Sequence, residues 1–269
     1  MKNCPCENVV FDGGHITVES IVAIANRNAS VHVSTEKTFR DKLQRSVDFL
    51  NKLLVEDGCI YGVTTGYGDS CTIDIPASLV PELPEHLTRF HGCGMGENFS
   101  PEQSRAIMAT CLSFLSQGLS GVRPIILERL ATLINEDITP RIPQEGSVGA
   151  SGDLTPLSYV AAVIAGNREV FHNGQLFKTS EIYKALDLNP VPLKPKEGLA
   201  LMNGTAAMTA LACMAFDRTA YLTELATRIT AMVSAAMKGN SFHFNERLFQ
   251  AKAHPGQQKI AGWLRADLG

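Results

Sequence analysis

Apolar residues recur along most of this chain at the three- and four-residue spacing of helices with one buried face. The first such stripe follows Thr17, which can cap a helix, and consists of Val18, Ile21, Val22 and Ala25. A longer stripe consists of Phe39, Leu43, Val47, Leu50 and Leu54. Ser100-Pro101-Glu102-Gln103 then has the form of a capping box, with proline in the first turn. The pattern predicts a mainly α fold.

One segment departs from the helical period. Between residues 168 and 178, two short apolar runs flank Asn173-Gly174, a pair that favours the tight turn of a β-hairpin. Prolines at 190, 192 and 195 then prevent a continuous helix, and residues 199–238 form one or two long apolar helices in this interpretation. We predict an N-terminal domain over residues 1–190 with a small β-hairpin. It leads into the start of a long central helical bundle over residues 191–269.

Composition and charge narrow the class of protein. The chain of 269 residues has a net charge of -3, and its Lys and Arg residues are scattered, so neither nucleic acid nor a membrane surface is predicted as a partner. The most apolar stretch, residues 199–216, contains Asn203, Thr205 and Thr209, which indicates a buried helix rather than a membrane span.

Cysteine usage indicates a reducing compartment. The seven cysteines are widely spaced, and no apolar signal segment follows the first residues, so we expect a cytoplasmic protein with reduced thiols. Cys4 and Cys6 form a Cys-x-Cys pair without a second pair to complete a metal site. No metal is therefore predicted.

The segment that carries the most specific chemistry is residues 146–156, which read Gly-Ser-Val-Gly-Ala-Ser-Gly-Asp-Leu-Thr-Pro. Its composition alone favours a flexible loop that leads into a helix capped by Thr155, with Pro156 in the first turn. A hydrolase elbow is a poor alternative because Asp153 stands where that motif needs glycine. A phosphate-binding loop is excluded because no Gly-Lys-Ser/Thr follows.

The whole string resembles the signature of the histidine, phenylalanine and tyrosine ammonia-lyases. Further motifs in the same order support the resemblance, which extends over nearly the whole chain. They are Tyr61-Gly62-Val63-Thr64-Thr65-Gly66-Tyr67-Gly68, His91-Gly92-Cys93-Gly94, Leu201-Met202-Asn203-Gly204-Thr205 and His254-Pro255-Gly256-Gln257.

The resemblance implies that Ala150-Ser151-Gly152 cyclises to 4-methylidene-imidazol-5-one. The backbone nitrogen of Gly152 attacks the carbonyl carbon of Ala150, and Ser151 loses its hydroxyl, so two waters leave in total. Glycine at the attacking position removes a side chain that would obstruct the turn. The resulting methylidene carbon is an electrophile, and neither a metal nor a nucleotide is needed.

The resemblance also implies roles for residues outside this loop. Tyr61 is predicted to be the base at the reacting carbon, and Asn203 to lie beside the prosthetic group. Phe90 and His91, with Gly68, are predicted to contact the substrate. Phenylalanine-specific members tend to have Phe-Leu at positions 90 and 91 and histidine-specific members Ser-His, so Phe90-His91 is a hybrid. A histidine there can hydrogen-bond a phenol hydroxyl or an imidazole, which ranks tyrosine first, histidine second and phenylalanine third.

The function implied is non-oxidative deamination of an aromatic L-amino acid to an α,β-unsaturated acid and ammonia. Two alternatives stay open: tyrosine 2,3-aminomutase activity, and a non-catalytic half-enzyme that assembles with a partner chain. Family members are about twice this length and assemble as homotetramers. Their second half supplies another tyrosine, an arginine for the substrate carboxylate, and a glutamate or glutamine near the amine. We therefore expect this chain alone not to turn over substrate.

Overall fold

The computed structural model describes residues 7–56, 58–149, 152–251 and 254–269, and in these residues the chain is mainly helical, as predicted. The helices are α1 (Val18–Ala25), α2 (Lys37–Glu56), α3 (Leu83–His91), α4 (Pro101–Leu115), α5 (Pro124–Asn135), α6 (Leu154–Ile164), α7 (Thr179–Ala185), α8 (Glu197–Met202), α9 (Ala206–Ala236), α10 (Glu246–Gln250) and α11 (Pro255–Leu268). Short 3-10 helices span Gly68–Ser70, Val80–Glu82 and Ser241–Phe244.

The strands form small sheets at the edges of the helical body. Strand β1 (Glu7–Phe11) pairs in parallel with β2 (Ala29–Val33), and β3 (Met95–Asn98) pairs antiparallel with β5 (Pro143–Glu145). Strands β6 (Glu169–His172) and β7 (Gln175–Lys178) form the predicted hairpin, to which β4 (Thr139–Pro140) adds a third strand. Asn173 and Gly174 have φ of 50° and 76°, both in the left-handed region. A turn of that kind matches the twist of the paired strands, so the hairpin prediction is confirmed.

Two of the predicted helix N-caps are confirmed, and a third is wrong. Thr17 caps α1 by accepting a hydrogen bond from the Ser20 nitrogen at 3.2 Å, and Ser100 forms the predicted capping box with Gln103. The prediction that Thr155 caps α6 is wrong because this helix already begins at Leu154 and Asp153 occupies the cap position. Asp153 does not cap its own helix, since its carboxylate binds groups elsewhere in the chain.

Apolar side chains of α4, α5 and α6 form one buried cluster. Every side chain of α6 from Thr155 to Ile164 is buried, and its members of the cluster include Leu157, Val160 and Ile164. The chain falls into two compact units, which divide within α9 between Met214 and Ala215. In the second unit, the Arg265 guanidinium donates to the Phe244 carbonyl at 2.7 Å. The division predicted near residue 190 stays a prediction.

Residues 199–238 contain two helices, α8 and α9, separated by Asn203-Gly204-Thr205. By length and composition alone, the stretch 197–236 is apolar enough to cross a membrane. However, 44% of its most apolar window is buried inside the protein, and a core helix meets the same criterion.

Candidate active site

Five of the residues predicted for the site from the sequence meet at one cavity in the first unit, and Gly152 is not among the residues that line it. Tyr61, Gly68, Phe90, His91 and Asn203 all line a space of about 870 Å³. They come from three parts of the chain: the loop after α2, the last turn of α3, and the end of α8. Most of the exposed wall is apolar, as expected for a pocket that accepts an aromatic side chain.

The loop from residue 60 to residue 75 forms one wall of the cavity and is held by its own hydrogen bonds. The Ile60 nitrogen donates to the Thr64 hydroxyl at 2.7 Å, and the Gly66 nitrogen donates to the Ile73 carbonyl at 3.0 Å. Gly62 has φ of 64°, and a Cβ there would lie 2.7 Å from atoms of both Tyr67 and Leu199. Glycine at this position therefore permits both the turn and the close approach of two cavity side chains.

Tyr61 lies at the mouth of the cavity with 53% of its surface exposed. The backbone nitrogen of Gly68 donates a hydrogen bond to the Tyr61 hydroxyl oxygen at 3.0 Å. This bond orients the Tyr61 phenol. It also places the Gly68 N–H group against the phenol oxygen, which would carry negative charge if Tyr61 acts as a base. Gly68 lines the cavity, and its backbone nitrogen contacts Tyr61, the predicted base.

Tyr67 is a cavity residue that sequence reasoning quoted within a motif but did not single out. Burial, and then the charge of nearby Tyr61, raise the pKa of Tyr67 to about 12, so its phenol stays neutral at physiological pH. The cavity thus contains two phenols, of which one is half-exposed and held by a backbone donor. The signal available in the sequence was the second tyrosine of the Tyr-x5-Tyr spacing.

Phe90 and His91 occupy the last turn of α3. Their rings meet edge to face with centroids 5.2 Å apart, and Phe90 is largely exposed to the cavity and solvent. Burial lowers the pKa of His91, which favours a neutral imidazole. A neutral imidazole can donate from one nitrogen and accept at the other, as recognition of a phenol or of another imidazole requires.

The turn that follows His91 is held by Arg168 and Tyr159. The Arg168 guanidinium donates to the Gly92 carbonyl at 3.1 Å and lies 4.5 Å from the centroid of the Tyr159 ring. The Tyr159 hydroxyl in turn accepts from the Gly94 nitrogen at 3.1 Å. A side chain at Gly92 would overlap the guanidinium. Gly92 therefore permits close packing against Arg168, whereas Gly94 permits close packing against Pro143, whose Cβ would lie 2.9 Å from an added Cβ.

The predicted cofactor loop is described only in part. Ala150 and Ser151 lie outside the described residues. The Gly152 nitrogen donates to the Gly149 carbonyl at 2.8 Å, and a Cβ on Gly152 would overlap the Val148 side chain and lie 2.7 Å from the same carbonyl. Position 152 therefore accepts only glycine, the residue that the predicted cyclisation needs at the attacking nitrogen.

Asp153 connects this loop to the segment that carries Asn203. Its carboxylate is fully buried and accepts hydrogen bonds from the Ser147 hydroxyl and from the Met208 nitrogen, the latter at 2.8 Å. Met208 lies in the first turn of α9, where a negative charge is stabilised by unpaired N–H groups. The sequence motif includes Asp153, but its distant partner could not be identified from the sequence.

Among the described residues, no group of three or more His, Cys, Asp or Glu side chains is placed to hold a metal ion. Cys4 and Cys6 lie outside the described residues.

Comparison with known proteins finds relatives over nearly the whole chain. Residues 16–269 match the family model for aromatic amino acid lyase. The chain is 40% identical to the MIO-dependent tyrosine 2,3-aminomutase of Streptomyces globisporus over 259 residues, which cover 96% of this chain and 48% of that protein. It is 37% identical to the histidine ammonia-lyase of Geobacillus sp. (strain WCH70), covering 96% of this chain and 50% of that protein.

Solved structures show the same relationship. The tyrosine aminomutase from Streptomyces globisporus superimposes with a TM-score of 0.89 at 37% identity, covering 96% of this chain and 48% of that chain. Histidine ammonia-lyase from Trypanosoma cruzi superimposes with a TM-score of 0.86 at 28% identity, covering 96% of this chain and 50% of that chain. The chain spans about half the length of the curated relatives it matches.

Proposed function

Since this chain belongs to the aromatic amino acid lyase family, we propose that it acts in the non-oxidative deamination of an aromatic L-amino acid. The products are an α,β-unsaturated acid and ammonia. The single observation that supports the proposal best is the shared cavity of Tyr61, Gly68, Phe90, His91 and Asn203. These residues belong to three separate motifs, and a resemblance confined to sequence would not require them to meet.

Each of these residues has a task in the proposed reaction. The methylidene-imidazolone made from Ala150, Ser151 and Gly152 supplies the electrophile that activates the substrate. Tyr61, oriented by the Gly68 nitrogen, removes the proton from the substrate β-carbon. Asn203, at the end of α8, lies beside the reacting group and orients it by hydrogen bonding.

Substrate choice is assigned to the end of α3. Phe90 packs against the aromatic ring, and His91 hydrogen-bonds its polar substituent. Because burial favours the neutral form of His91, a phenol hydroxyl or a neutral imidazole is a better partner than an unsubstituted ring. We therefore propose tyrosine first and histidine second, with phenylalanine third.

Tyrosine 2,3-aminomutase activity is the second candidate. The relative at 40% identity has that activity in its name, and its solved structure superimposes over 96% of this chain. The two reactions share the release of the amine and differ in whether it returns to the β-carbon.

Assembly and location are part of the proposal. We expect a cytoplasmic protein that acts as a homo-oligomer, a tetramer in its full-length form, and we expect the chain alone not to complete the active site. The opposing hypothesis is a non-catalytic half-enzyme that docks to a partner chain. Gel filtration, together with the modification state of the loop, distinguishes the two.

The test begins with peptide mass spectrometry across residues 142–168. Loss of two waters supports the proposed cofactor, whereas an unmodified loop in a folded, strongly oligomeric protein supports the non-catalytic alternative. The protein is then incubated separately with tyrosine, histidine and phenylalanine, and products are separated by chromatography. Coumarate, urocanate or cinnamate identifies a lyase, and β-tyrosine identifies an aminomutase. A modified, correctly assembled protein that forms none of these products would refute the proposed activity.

A further inference from the structure

Helix α8 carries two residues of the cavity although it is only one and a half turns long. Leu199 and Asn203 both line the cavity, and every side chain from Glu197 to Met202 is buried. A helix this short has little stability of its own, so its position depends on contacts with the rest of the protein. The residues that contact α8 therefore determine how firmly Asn203 is held.

The first residue of α8 is a buried acid with a complete set of donors. Glu197 is 1% exposed, and each of its two carboxylate oxygens accepts two hydrogen bonds. The Arg123 backbone nitrogen and Nε donate to Oε1 at 3.1 and 2.7 Å. Arg123 Nη2 and the Lys194 nitrogen donate to Oε2 at 2.7 and 2.8 Å. Buried carboxylates are retained only when paired in this way.

These bonds connect α8 to the start of α5. Arg123 is the residue that caps α5, and its guanidinium also donates to the Pro192 carbonyl at 2.7 Å. Hydrogen bonding to Glu197 raises the pKa of Arg123, so the arginine remains charged. Lys196, directly before α8, has φ of 77°, in the left-handed region that side chains rarely adopt. The surrounding contacts thus hold the backbone in a sparsely populated conformation at the entry to α8.

Two further contacts leave α8 little freedom to shift. A Cβ on Gly198 would lie 2.9 Å from the Cα atom of Pro84, so α8 lies directly against the backbone of α3. Downstream of Asn203, the Met208 nitrogen is held by Asp153. Asn203 therefore lies between two buried carboxylates, one at the start of α8 and one at the first turn of α9.

We propose that Glu197 is a positioning residue, which fixes α8 against α5 and thereby holds Asn203 and Leu199 at the cavity. Glu197 itself does not line the cavity and acts through the helix. The functional part of this inference rests on the proposed function, because it concerns the placement of Asn203 for that reaction. The structural part stands on the contacts alone.

The substitution Glu197→Gln tests both parts. Glutamine keeps the shape of the side chain, but its NH2 group must face two donors whichever way the amide is turned. Asp137→Asn is the control, because Asp137 likewise pairs with arginine side chains, those of Arg27 and Arg105 at 2.7 and 3.4 Å, but within the described residues it makes no hydrogen bond to α8 or to a cavity residue. Both variants lose a carboxylate that pairs with arginine, whereas only Glu197→Gln loses the contact that anchors α8.

Hydrogen exchange of peptides that cover residues 197–205 is the first measurement, made on the chain itself. We expect Glu197→Gln to raise exchange there at least about tenfold relative to Asp137→Asn, equal to ~1.4 kcal/mol of local opening. Equal exchange in the two variants would overturn the positioning role. This result does not depend on catalysis.

A kinetic cycle in the active assembly is the second measurement. We expect Glu197→Gln to lower kcat about tenfold with little change in KM, because Asn203 is needed as the transition state forms. In an Asn203→Ala background the same substitution should have almost no further effect. Additive losses would refute the connection through Asn203. An assembly with no turnover in any variant would instead count against the proposed function, and hydrogen exchange would still decide the positioning role.

Discussion

The substitution Gly62→Ala tests whether the wall of the cavity depends on a missing side chain. Gly62 has φ of 64°, and an added Cβ would lie 2.7 Å from both Tyr67 Cε1 and Leu199 Cδ2. The left-handed backbone costs alanine about 1–2 kcal/mol. Crowding of two packed side chains adds ~1–3 kcal/mol. The free energy of unfolding should therefore fall by roughly 2–5 kcal/mol in total.

Gly174→Ala separates the two contributions. Gly174 also has a left-handed φ of 76°, but an added Cβ there meets nothing within 4 Å. Both variants share the backbone penalty and the reduced entropy of the unfolded chain, so their difference reports the crowding alone. In a domain of this size 1 kcal/mol shifts Tm by about 2–4 °C. We therefore expect Gly62→Ala to melt roughly 2–12 °C below Gly174→Ala.

Thermal unfolding followed by circular dichroism measures this difference, and the active assembly gives a second readout. Displacement of Tyr67 or Leu199 should lower kcat/KM in Gly62→Ala, whereas Gly174→Ala, in the hairpin turn, should leave it unchanged. Equal Tm values for the two variants would show that Tyr67 and Leu199 make room for the added methyl group without loss of stability. The reasoning that assigns Gly62 to close packing would then be wrong.

Four further outcomes are expected. Ser151→Ala should abolish the loss of two waters while circular dichroism stays unchanged; a modified or unfolded variant would contradict this. His91→Leu should raise the ratio of kcat/KM for phenylalanine to kcat/KM for tyrosine about tenfold, because the variant loses one hydrogen bond to the phenol. An unchanged ratio would show that His91 does not contact the substrate. Because the pKa of His91 is lowered, the unfolded chain binds that proton more readily. Urea unfolding should thus show the parent losing stability relative to His91→Leu as pH falls below 6.5, with no pH-dependent difference above it. In a spectrophotometric titration, Tyr67→Phe should remove the tyrosinate absorbance step that has a pKa of about 12. Loss of a step near the ordinary tyrosine pKa of 10.0 would instead show that Tyr67 is not buried as described.

Features that depend on neighbouring residues in the chain were predictable from the sequence. The Ser100 capping box, the Thr17 cap and the Asn173-Gly174 turn each join groups within about four residues, so local sequence contains both partners. Five of the cavity residues were also predicted, because the motifs that contain or adjoin them resemble those of a family; they are Tyr61, Gly68, Phe90, His91 and Asn203. No helix was predicted over residues 83–91, and local periodicity does not indicate that Phe90 and His91 at its end line a cavity.

The parallel pairing of β1 with β2 was not predicted, since each strand is short and its partners are distant in the sequence. Strand β2 pairs with β1, and the backbone of Val31 also bonds the Asn135 side chain, 104 residues away. The start of α6 was placed at Thr155 for a related reason. Asp153 has the side chain of a local cap, but in the folded chain its carboxylate accepts from the Met208 nitrogen, 55 residues away. Sequence spacing does not indicate whether the Asp153 carboxylate binds a backbone nitrogen of its own helix or one far along the chain.

The sequence by itself determined that the chain is mainly helical, where its hairpin turns, and which loop contains the Ala-Ser-Gly motif. The helices and the hairpin follow from backbone preferences and side-chain bonds over short separations, and the motif was identified by its resemblance to a family. Only the tertiary structure decided that Tyr67 shares the cavity, that Arg168 holds the turn after His91, and that Glu197 anchors α8 to Arg123 across 74 residues. A buried charge must find its donors wherever the fold places them, so its partner is a property of packing.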